Sequence, residues 1–105
     1  MTYKLFVDDE RFPPDDGHSW VIARTMNEVQ YRIFNYGMPC YISWDHDLGE
    51  NEPNGLQIVK WLIEYDMDNN VIPEGFTFYT HSQNPIGATN INSLLNSYLK
   101  NKFNV

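Results

Sequence analysis

The chain has 105 residues, of which 42% are hydrophobic and 15% aromatic, enough for one packed core and too much for a disordered segment. Seven basic against fourteen acidic residues give a net charge of −7, which excludes long nucleic acid as a favoured partner. No apolar run approaches the roughly 18 residues of a membrane span, and the single cysteine, Cys40, has no disulfide partner. We therefore expect one domain over residues 1–105, in the cytoplasm, with no membrane partner.

The chain begins with two predicted strands separated by a loop. Residues 3–7 form an apolar run with little alternation, which is typical of a strand covered on both faces, and residues 20–23 form another. Residues 9–19 contain Pro13 and Pro14 and predict a loop where a fuller α/β domain would have a helix. A parallel crossover without a helix needs about a dozen residues. Residues 9–19 are eleven residues, close to this minimum, so the direction of the second strand stays open.

Helices alternate with two further strands in the rest of the chain. Apolar residues at helical spacing follow Thr25 and Asn54, two residue types that are preferred at a helix N-cap. Residues 41–44 and 76–80 are the third and fourth apolar runs, and both predict buried strands. The last helix is predicted from the stripe of Ile91, Leu94, Leu95, Tyr98 and Leu99.

This alternation predicts βαβ units and therefore an α/β fold. We expect a small, flavodoxin-like, mostly parallel sheet of about four strands with three helices. In open sheets of this kind the ligand binds beyond the carboxyl ends of the strands. All four runs end in polar residues suited to catalysis, namely Asp8-Asp9-Glu10-Arg11, Arg24, Asp45-His46-Asp47 and Thr80-His81-Ser82. The sequence therefore predicts one shared site at this edge.

Aspartates gathered at one edge would repel one another unless a cation neutralises them. A hard divalent ion on oxygen ligands is the simple remedy, so we predict that Asp8, Asp9 and Asp45 hold Mg²⁺ or Mn²⁺. His46 and His81 could recruit Mn²⁺, Fe²⁺ or Zn²⁺ if they turn inward, so the identity of the metal stays open. The predicted cofactor is a divalent metal ion.

The remaining polar residues divide into proton carriers and phosphate ligands. We predict that His46 and His81, together with Asp47, carry out proton transfer, and that His81 emerges at the edge of the sheet. The predicted phosphate ligands are Arg11, Arg24, Ser82 and Asn84. Residues 82–87 have two interpretations, a turn with a helix cap or a helix start whose amides bind phosphate.

Several of these residues together resemble the response-regulator receiver fold: Asp8-Asp9, Asp45 with Leu48, and Asn54-Gly55-Leu56. The resemblance implies that the acidic pair and the third aspartate hold Mg²⁺, and that the carbonyl of Asp47 completes the shell. Receivers also carry a lysine after a fifth strand. Here no fifth strand is predicted, and Lys100 and Lys102 lie in the C-terminal segment, which argues against phosphorelay signalling.

A closer resemblance, over nearly the whole chain, is to the cyclic-phosphate processing receiver-like domain family. It rests on residues 5–11 with Pro13-Pro14, Trp20 to Arg24, residues 42–49, Gly55 and residues 81–87. The Asp-His-Asp-Leu-Gly and His-Ser-x-Asn-Pro-x-Gly segments are each uncommon. The resemblance implies a compact receiver derivative that lacks the terminal strand. It also implies hydrolysis of cyclic phosphates from RNA end repair or nucleotide signalling.

The leading hypothesis is a single phosphoesterase domain that uses a metal to open a small cyclic phosphate. The substrate would be a 2′,3′-cyclic nucleotide or RNA end, an ADP-ribose cyclic phosphate or a cyclic nucleotide messenger. One alternative is a sensor or sponge that binds the nucleotide and releases it intact, and the other is a degenerate receiver that binds proteins. Twelve asparagines hint at an AT-rich, viral genome, in which case the compartment would be the host cytoplasm.

Overall fold

A computed structural model describes residues 3–104, which form four strands and three helices. In chain order they are β1 (Lys4–Val7), β2 (Trp20–Ala23), α1 (Met26–Tyr36), β3 (Tyr41–Trp44), α2 (Gly55–Asn69), β4 (Thr77–Thr80) and α3 (Pro85–Phe103). The strands form one sheet in the order β2-β1-β3-β4, and every pairing is parallel. The predicted α/β fold is confirmed. The second strand, whose direction the sequence left open, is parallel to the first.

The helices begin where side chains satisfy the free N–H groups of their first turns. Asn54 accepts from the N–H of Gln57 at 2.9 Å, and the Gln57 side chain accepts from the N–H of Asn54 at 2.8 Å. Thr25 caps α1 by accepting from the N–H of Glu28, but the Glu28 carboxylate turns to the N–H of Arg24 instead. The first helix therefore has half of a capping box and the second has a complete one.

One face of the sheet packs against all three helices. Leu5, Val7, Ala23, Ile42 and Trp44 share a single buried cluster with residues of α1, α2 and α3. Alternate strand residues point to the other face, where the loop between β1 and β2 makes contact. There Asp16 accepts from the Trp20 indole N–H, and His18 lies 3.1 Å from the Lys4 ammonium.

The expectation of strands covered on both faces is wrong for part of the sheet. Thr77 and Tyr79 of β4 are exposed, Tyr79 with 59% of its surface accessible, although residues 76–80 were predicted to form a buried strand. The reason is that a loop, rather than a helix, joins β1 to β2 on the second face. Too little chain lies there to reach β4.

A buried ion pair fastens α3 to the end of α2. Asp66 is 2% exposed and both of its carboxylate oxygens lie 2.8 Å from the Lys102 ammonium. The N–H groups of Val71 and Ile72 and the Tyr98 hydroxyl also donate to this carboxylate. The network joins the helices to the segment that leads into β4. Within residues 3–104 no helix is long and apolar enough to cross a membrane.

Candidate metal and phosphate site

The site begins with the row of residues that directly follows the last paired row of the sheet. That paired row consists of Ala23, Val7, Trp44 and Thr80. The residue after each of β1, β3 and β4 extends the sheet by one more backbone hydrogen bond. The Asp8 N–H donates to the Ala23 carbonyl, that of Asp45 to the Val7 carbonyl, and that of His81 to the Trp44 carbonyl. The parallel register thus aligns Asp8, Asp45 and His81 side by side.

Asp8 is fully buried and held from several directions. Its Oδ1 accepts from the N–H groups of Glu10 and Arg11 at 3.0 and 2.9 Å, which forms a tight turn after β1. Its Oδ2 lies 2.9 Å from the Arg11 Nε and 2.9 Å from the His81 Nε2. Burial raises the pKa of Asp8, but these hydrogen bonds and the Arg11 charge outweigh burial and hold the pKa below its ordinary value. The carboxylate is therefore ionised at neutral pH.

Arg11 is the cation that lies between the two buried carboxylates. While its Nε contacts Asp8, its Nη2 lies 3.4 Å from the Asp45 Oδ2. Asp45 is 5% exposed, whereas 41% of the Arg11 side chain is accessible to solvent. The neutralising charge therefore lies on the solvent side of the two carboxylates.

His81 lies against the helix-free face of the sheet. Its ring stacks on Phe6 at a centroid distance of 4.6 Å and an interplanar angle of 3°. The Nδ1 lies 2.6 Å from the Ser43 Oγ, and the Nε2 faces Asp8. Only 13% of the side chain is exposed, so the ring is tucked under the edge of the sheet rather than emerging from it. Both ring nitrogens are engaged by neighbouring side chains.

Asp8, Asp45 and His81 lie close enough together that they could share one metal ion. One ligand atom from each of them lies within 4.8 Å of the other two. Asp9, the third predicted aspartate ligand, is not in that group. It is exposed, and its Oδ2 lies beside Gly49 in the loop after β3.

A second cluster joins the end of β3 to the start of α3. The His46 Nδ1 lies 2.9 Å from the Asp47 Oδ1, and the Asn84 amide lies 3.4 Å from both the Asp47 Oδ2 and the His46 Nδ1. Asn84 is also the N-cap of α3, because its Oδ1 accepts from the N–H of Gly87 at 3.0 Å. The His46 ring packs directly on Gly87, where any side chain would collide with it. The Asn84 amide and the absence of a side chain at Gly87 thus orient His46.

Gly55 allows a comparable close approach on the other side of β3. Its N–H donates to the His46 carbonyl at 2.7 Å. A side chain here would collide with the carbonyl oxygen of Asp45. The start of α2 is therefore pressed against the segment that carries the site.

The two clusters border one cleft of about 310 Å³ at the carboxyl edge of the sheet. The ends of β1 and β3 and the start of α3 supply its lining, which consists of Asp9, Glu10, Arg11, Asp45, Asp47, Gln83 and Asn84. Four of these residues are acidic and only Arg11 is basic. Five of the predicted site residues therefore meet at one cleft, and behind it Asp8 contacts Arg11 and His81 contacts Asp8.

Arg24 and Ser82 are engaged in the local structure. The Arg24 Nη1 donates to the carbonyls of Asp8 and Arg11, and the guanidinium lies 5.0 Å from the centre of the Phe12 ring. Ser82 accepts from the N–H of Asn84 at 3.0 Å. Neither residue lines the cleft, so the structure does not bring them to the other predicted phosphate ligands.

Sequence reasoning missed Ser43 and Phe6, which position His81. A usable indication was present, since Ser43 is the polar residue in an otherwise apolar strand and register places it beside Phe6. Glu10 and Gln83 of the cleft lie in segments that the sequence analysis singled out, but neither was assigned a role of its own.

Comparison with known proteins agrees with this geometry. The family model described as the cyclic-phosphate processing receiver domain matches residues 3–97. The chain belongs to this family. A search of curated proteins returned no match.

A solved structure supports the fold. It is described as the yeast Spc42 trimeric coiled coil, amino acids 181–211, fused to another structure. The TM-score is 0.60 at 22% identity, over 88% of this chain and 62% of that chain. The chain therefore spans less than two thirds of that structure, and at this identity the likeness shows the fold alone.

Proposed function

We propose that this receiver domain is a metal-dependent phosphoesterase that opens a small cyclic phosphate. The observation that carries the proposal is the aligned row of Asp8, Asp45 and His81, whose ligand atoms lie within 4.8 Å of one another beside a cleft. The family match supports a role in cyclic-phosphate processing. The bond that is cleaved and the use of a metal are our inference from the side chains.

The donor set fits a divalent ion. Two buried carboxylates and one imidazole suit Mn²⁺, and they suit Mg²⁺ if oxygen ligands from water complete its shell. Asp9 borders the same cleft and could add a third carboxylate from the solvent side. An ion here would replace the Arg11 guanidinium as the charge that neutralises Asp8 and Asp45. When bound, it would polarise a phosphoryl oxygen and acidify the water that attacks phosphorus.

Arg11 has a second task in this proposal. A guanidinium displaced from the two aspartates would remain at the cleft, where its five N–H donors match phosphate oxygens. Arg24 would act indirectly by holding the backbone of the Arg11 turn, since it donates to the Arg11 carbonyl. We thus assign phosphate binding to Arg11, with Asn84 as a neutral donor across the cleft.

Neither histidine lines the cleft, but His46 is the better oriented of the two to carry a proton. Asp47 holds its Nδ1, which leaves Nε2 to exchange a proton, the arrangement of an imidazole oriented by a carboxylate. Ring opening needs one proton taken from the attacking water and one delivered to the departing ring oxygen. In His81 both nitrogens already have partners, so its expected contribution is to hold Asp8 or to bind the ion.

The charge of the cleft favours a small ligand. Four acidic residues and one arginine would repel an unaccompanied phosphate chain, and the whole protein carries a net charge of −7. A small phosphorylated nucleotide, or the end of one, could approach when the ion accompanies it. We therefore expect phosphate binding to depend on the metal.

The test is to incubate the pure chain with Mn²⁺ or Mg²⁺ and a panel of cyclic phosphates. The panel contains 2′,3′-cyclic and 3′,5′-cyclic nucleotides, oligonucleotides with cyclic ends and ADP-ribose cyclic phosphate, and ³¹P NMR reports ring opening. We expect turnover of at least one substrate, which a chelator stops.

Two variants control the assay. Asp45→Asn should lose turnover, whereas Asp68→Asn, which removes the same charge at an exposed position of α2, should keep it. Metal-dependent binding without turnover would replace the enzyme with a protein that only binds the nucleotide. Absence of both binding and turnover would remove the proposal altogether.

A further inference from the structure

The outer edge of β4 has free hydrogen-bonding groups. In the described part of the chain, 3–104, β4 pairs only with β3. On the inner side, Thr77 donates its N–H to the carbonyl of Cys40, just before β3, and His81 donates to that of Trp44. Because these groups alternate along a strand, Phe78 and Thr80 direct their N–H and C=O groups away from the sheet. Such an edge is a template for another strand.

The segment that forms this edge contains no charged residue. Charged residues make up 20% of the chain, yet none falls within residues 75–99, which include β4 and most of α3. The opposite edge of the sheet, at β2, is flanked by Asp16 and Arg24, charges of the kind that protect an edge from pairing. At β4 the only charge of this kind is Glu74 before the strand, and no charged residue follows until Lys100. Depletion of charge is instead the mark of the centre of a protein interface.

A shallow groove of about 370 Å³ runs along the same edge. It lies between β4 and one side of α3, and its walls include Asn92, Asn96 and Leu99. Asn92 accepts from the Thr80 hydroxyl at 2.8 Å. The groove is thus bordered by apolar and uncharged polar groups and is long enough to run beside the whole strand.

We propose that the β4 edge pairs with the β4 edge of a second copy of this chain. Two molecules that each have a net charge of −7 repel one another least where the surfaces that meet carry no charge. Residues 75–99 provide such a surface. An oppositely charged partner would find no complementary charge on this edge. A two-fold axis would make the pairing antiparallel, so that the same residues of each copy donate and accept the hydrogen bonds between the two.

The free groups determine the register of this pairing. With the axis at Tyr79, Phe78 of one copy would face Thr80 of the other, and their outward N–H and C=O groups would exchange hydrogen bonds. The two Tyr79 residues would then form the central pair without hydrogen bonds, the class in which side chains lie closest. The two α3 helices would approach across the axis through Asn92 and Asn96.

The first experiment measures the mass of the wild-type chain by sedimentation from roughly 1 μM to 1 mM, the span of weak to moderate association. We expect the mass to rise from that of one chain, 12.4 kDa, toward twice that value. Asn92→Asp with Asn96→Asp should keep the chain monomeric, because like charges would face each other across the axis. Asn90→Asp with Asn101→Asp is the matched control. It adds the same charge at exposed positions about half a turn away on α3 and should leave dimerisation unchanged.

The second experiment tests the register. Under mild oxidation, Tyr79→Cys should give a disulfide-linked dimer in high yield, since the paired residues would lie about 4.5 Å apart between Cα atoms. Thr77 is exposed on the same strand but would lie opposite residue 81 of the other copy. Thr77→Cys should therefore give little disulfide-linked dimer.

Either of two results would overturn the proposal. If the wild-type chain is monomeric at every concentration, the β4 edge does not pair with a second copy, and an extended segment of another protein becomes the expected partner. Equal dimerisation of the two double variants, or equal crosslinking of the two cysteine variants, places the contact on another surface.

Discussion

Replacing Arg11 with alanine tests whether this side chain occupies the place of an ion. The substitution removes the guanidinium that contacts Asp8 at 2.9 Å and Asp45 at 3.4 Å. The ligand oxygens of these two buried aspartates lie within 4.8 Å of each other. At that distance, with an effective dielectric constant of about 20, their repulsion is about 3.5 kcal/mol.

The measured loss should be smaller than this repulsion. Backbone N–H groups and His81 still support Asp8, and solvent can enter the space that Arg11 leaves. We expect Arg11→Ala to lose about 1–3 kcal/mol of unfolding free energy in a chelator, which lowers Tm by roughly 5–15 °C for a domain of this size. Mn²⁺ should restore most of this loss, because the ion no longer competes with the guanidinium.

Thermal unfolding in chelator and in Mn²⁺ measures both effects, and calorimetry measures metal affinity. Arg32→Ala removes the same charge from α1, where Arg32 contacts Tyr36, and serves as the control. Metal should bind Arg11→Ala roughly tenfold more tightly than it binds wild type or Arg32→Ala. An equal metal response in the two variants, or no loss of stability in chelator, would refute the view that Arg11 holds the position of the ion.

Three further substitutions separate the roles of the other buried groups. Asp45→Asn should abolish metal-dependent activity and leave Tm in chelator unchanged or higher, since repulsion is relieved; a fall of several degrees would make Asp45 a structural partner. His81→Ala should weaken metal affinity, so that the rate falls at low Mn²⁺ and recovers in excess Mn²⁺; a loss in kcat of about 10²–10⁴ at saturating metal, with little change in KM, would instead assign proton transfer to His81. Burial raises the pKa of Asp66, but hydrogen bonds from Ile72, Lys102 and Tyr98 outweigh it and hold the pKa low. The stabilisation is thus present above the unfolded value of about 3.9 and is lost as the pH falls through the folded value. Lys102→Met should therefore cost about 3 kcal/mol at neutral pH and less near pH 3. Equal Tm losses in the two buffers would contradict this account.

The fold could be predicted because several independent patterns agree. Apolar spacing placed the helices, Asn54 and Thr25 marked where two of them begin, and the alternation of elements implied parallel strands. The missing information was how much chain covers each face. Residues 9–19 were correctly predicted as a loop, but the consequence for distant β4 follows only from the strand order, which the periodicity of any one segment does not contain.

The composition of the site could be predicted further than its geometry. That polar residues follow every strand is visible in the sequence. That Asp8 rather than Asp9 faces Asp45 depends on register, which is known only once the strands are paired. The position of Arg24 is harder still, because its guanidinium serves two carbonyls of a neighbouring turn and no sequence pattern distinguishes that role from phosphate binding.

A buried ionic group is not by itself evidence of function, and this chain contains an instructive contrast. Asp66 is paired with Lys102, accepts hydrogen bonds from further donors and lines neither the cleft nor the groove along β4. Its burial is explained by its structural role, which is to join α2 to α3. Asp8 and Asp45 are two buried acids side by side, and their shared cation is a half-exposed arginine at a cleft. Packing alone gives no reason for this arrangement, because apolar residues in place of a buried ionic cluster are often as stable or more stable. A site that must exchange one cation for another does give a reason.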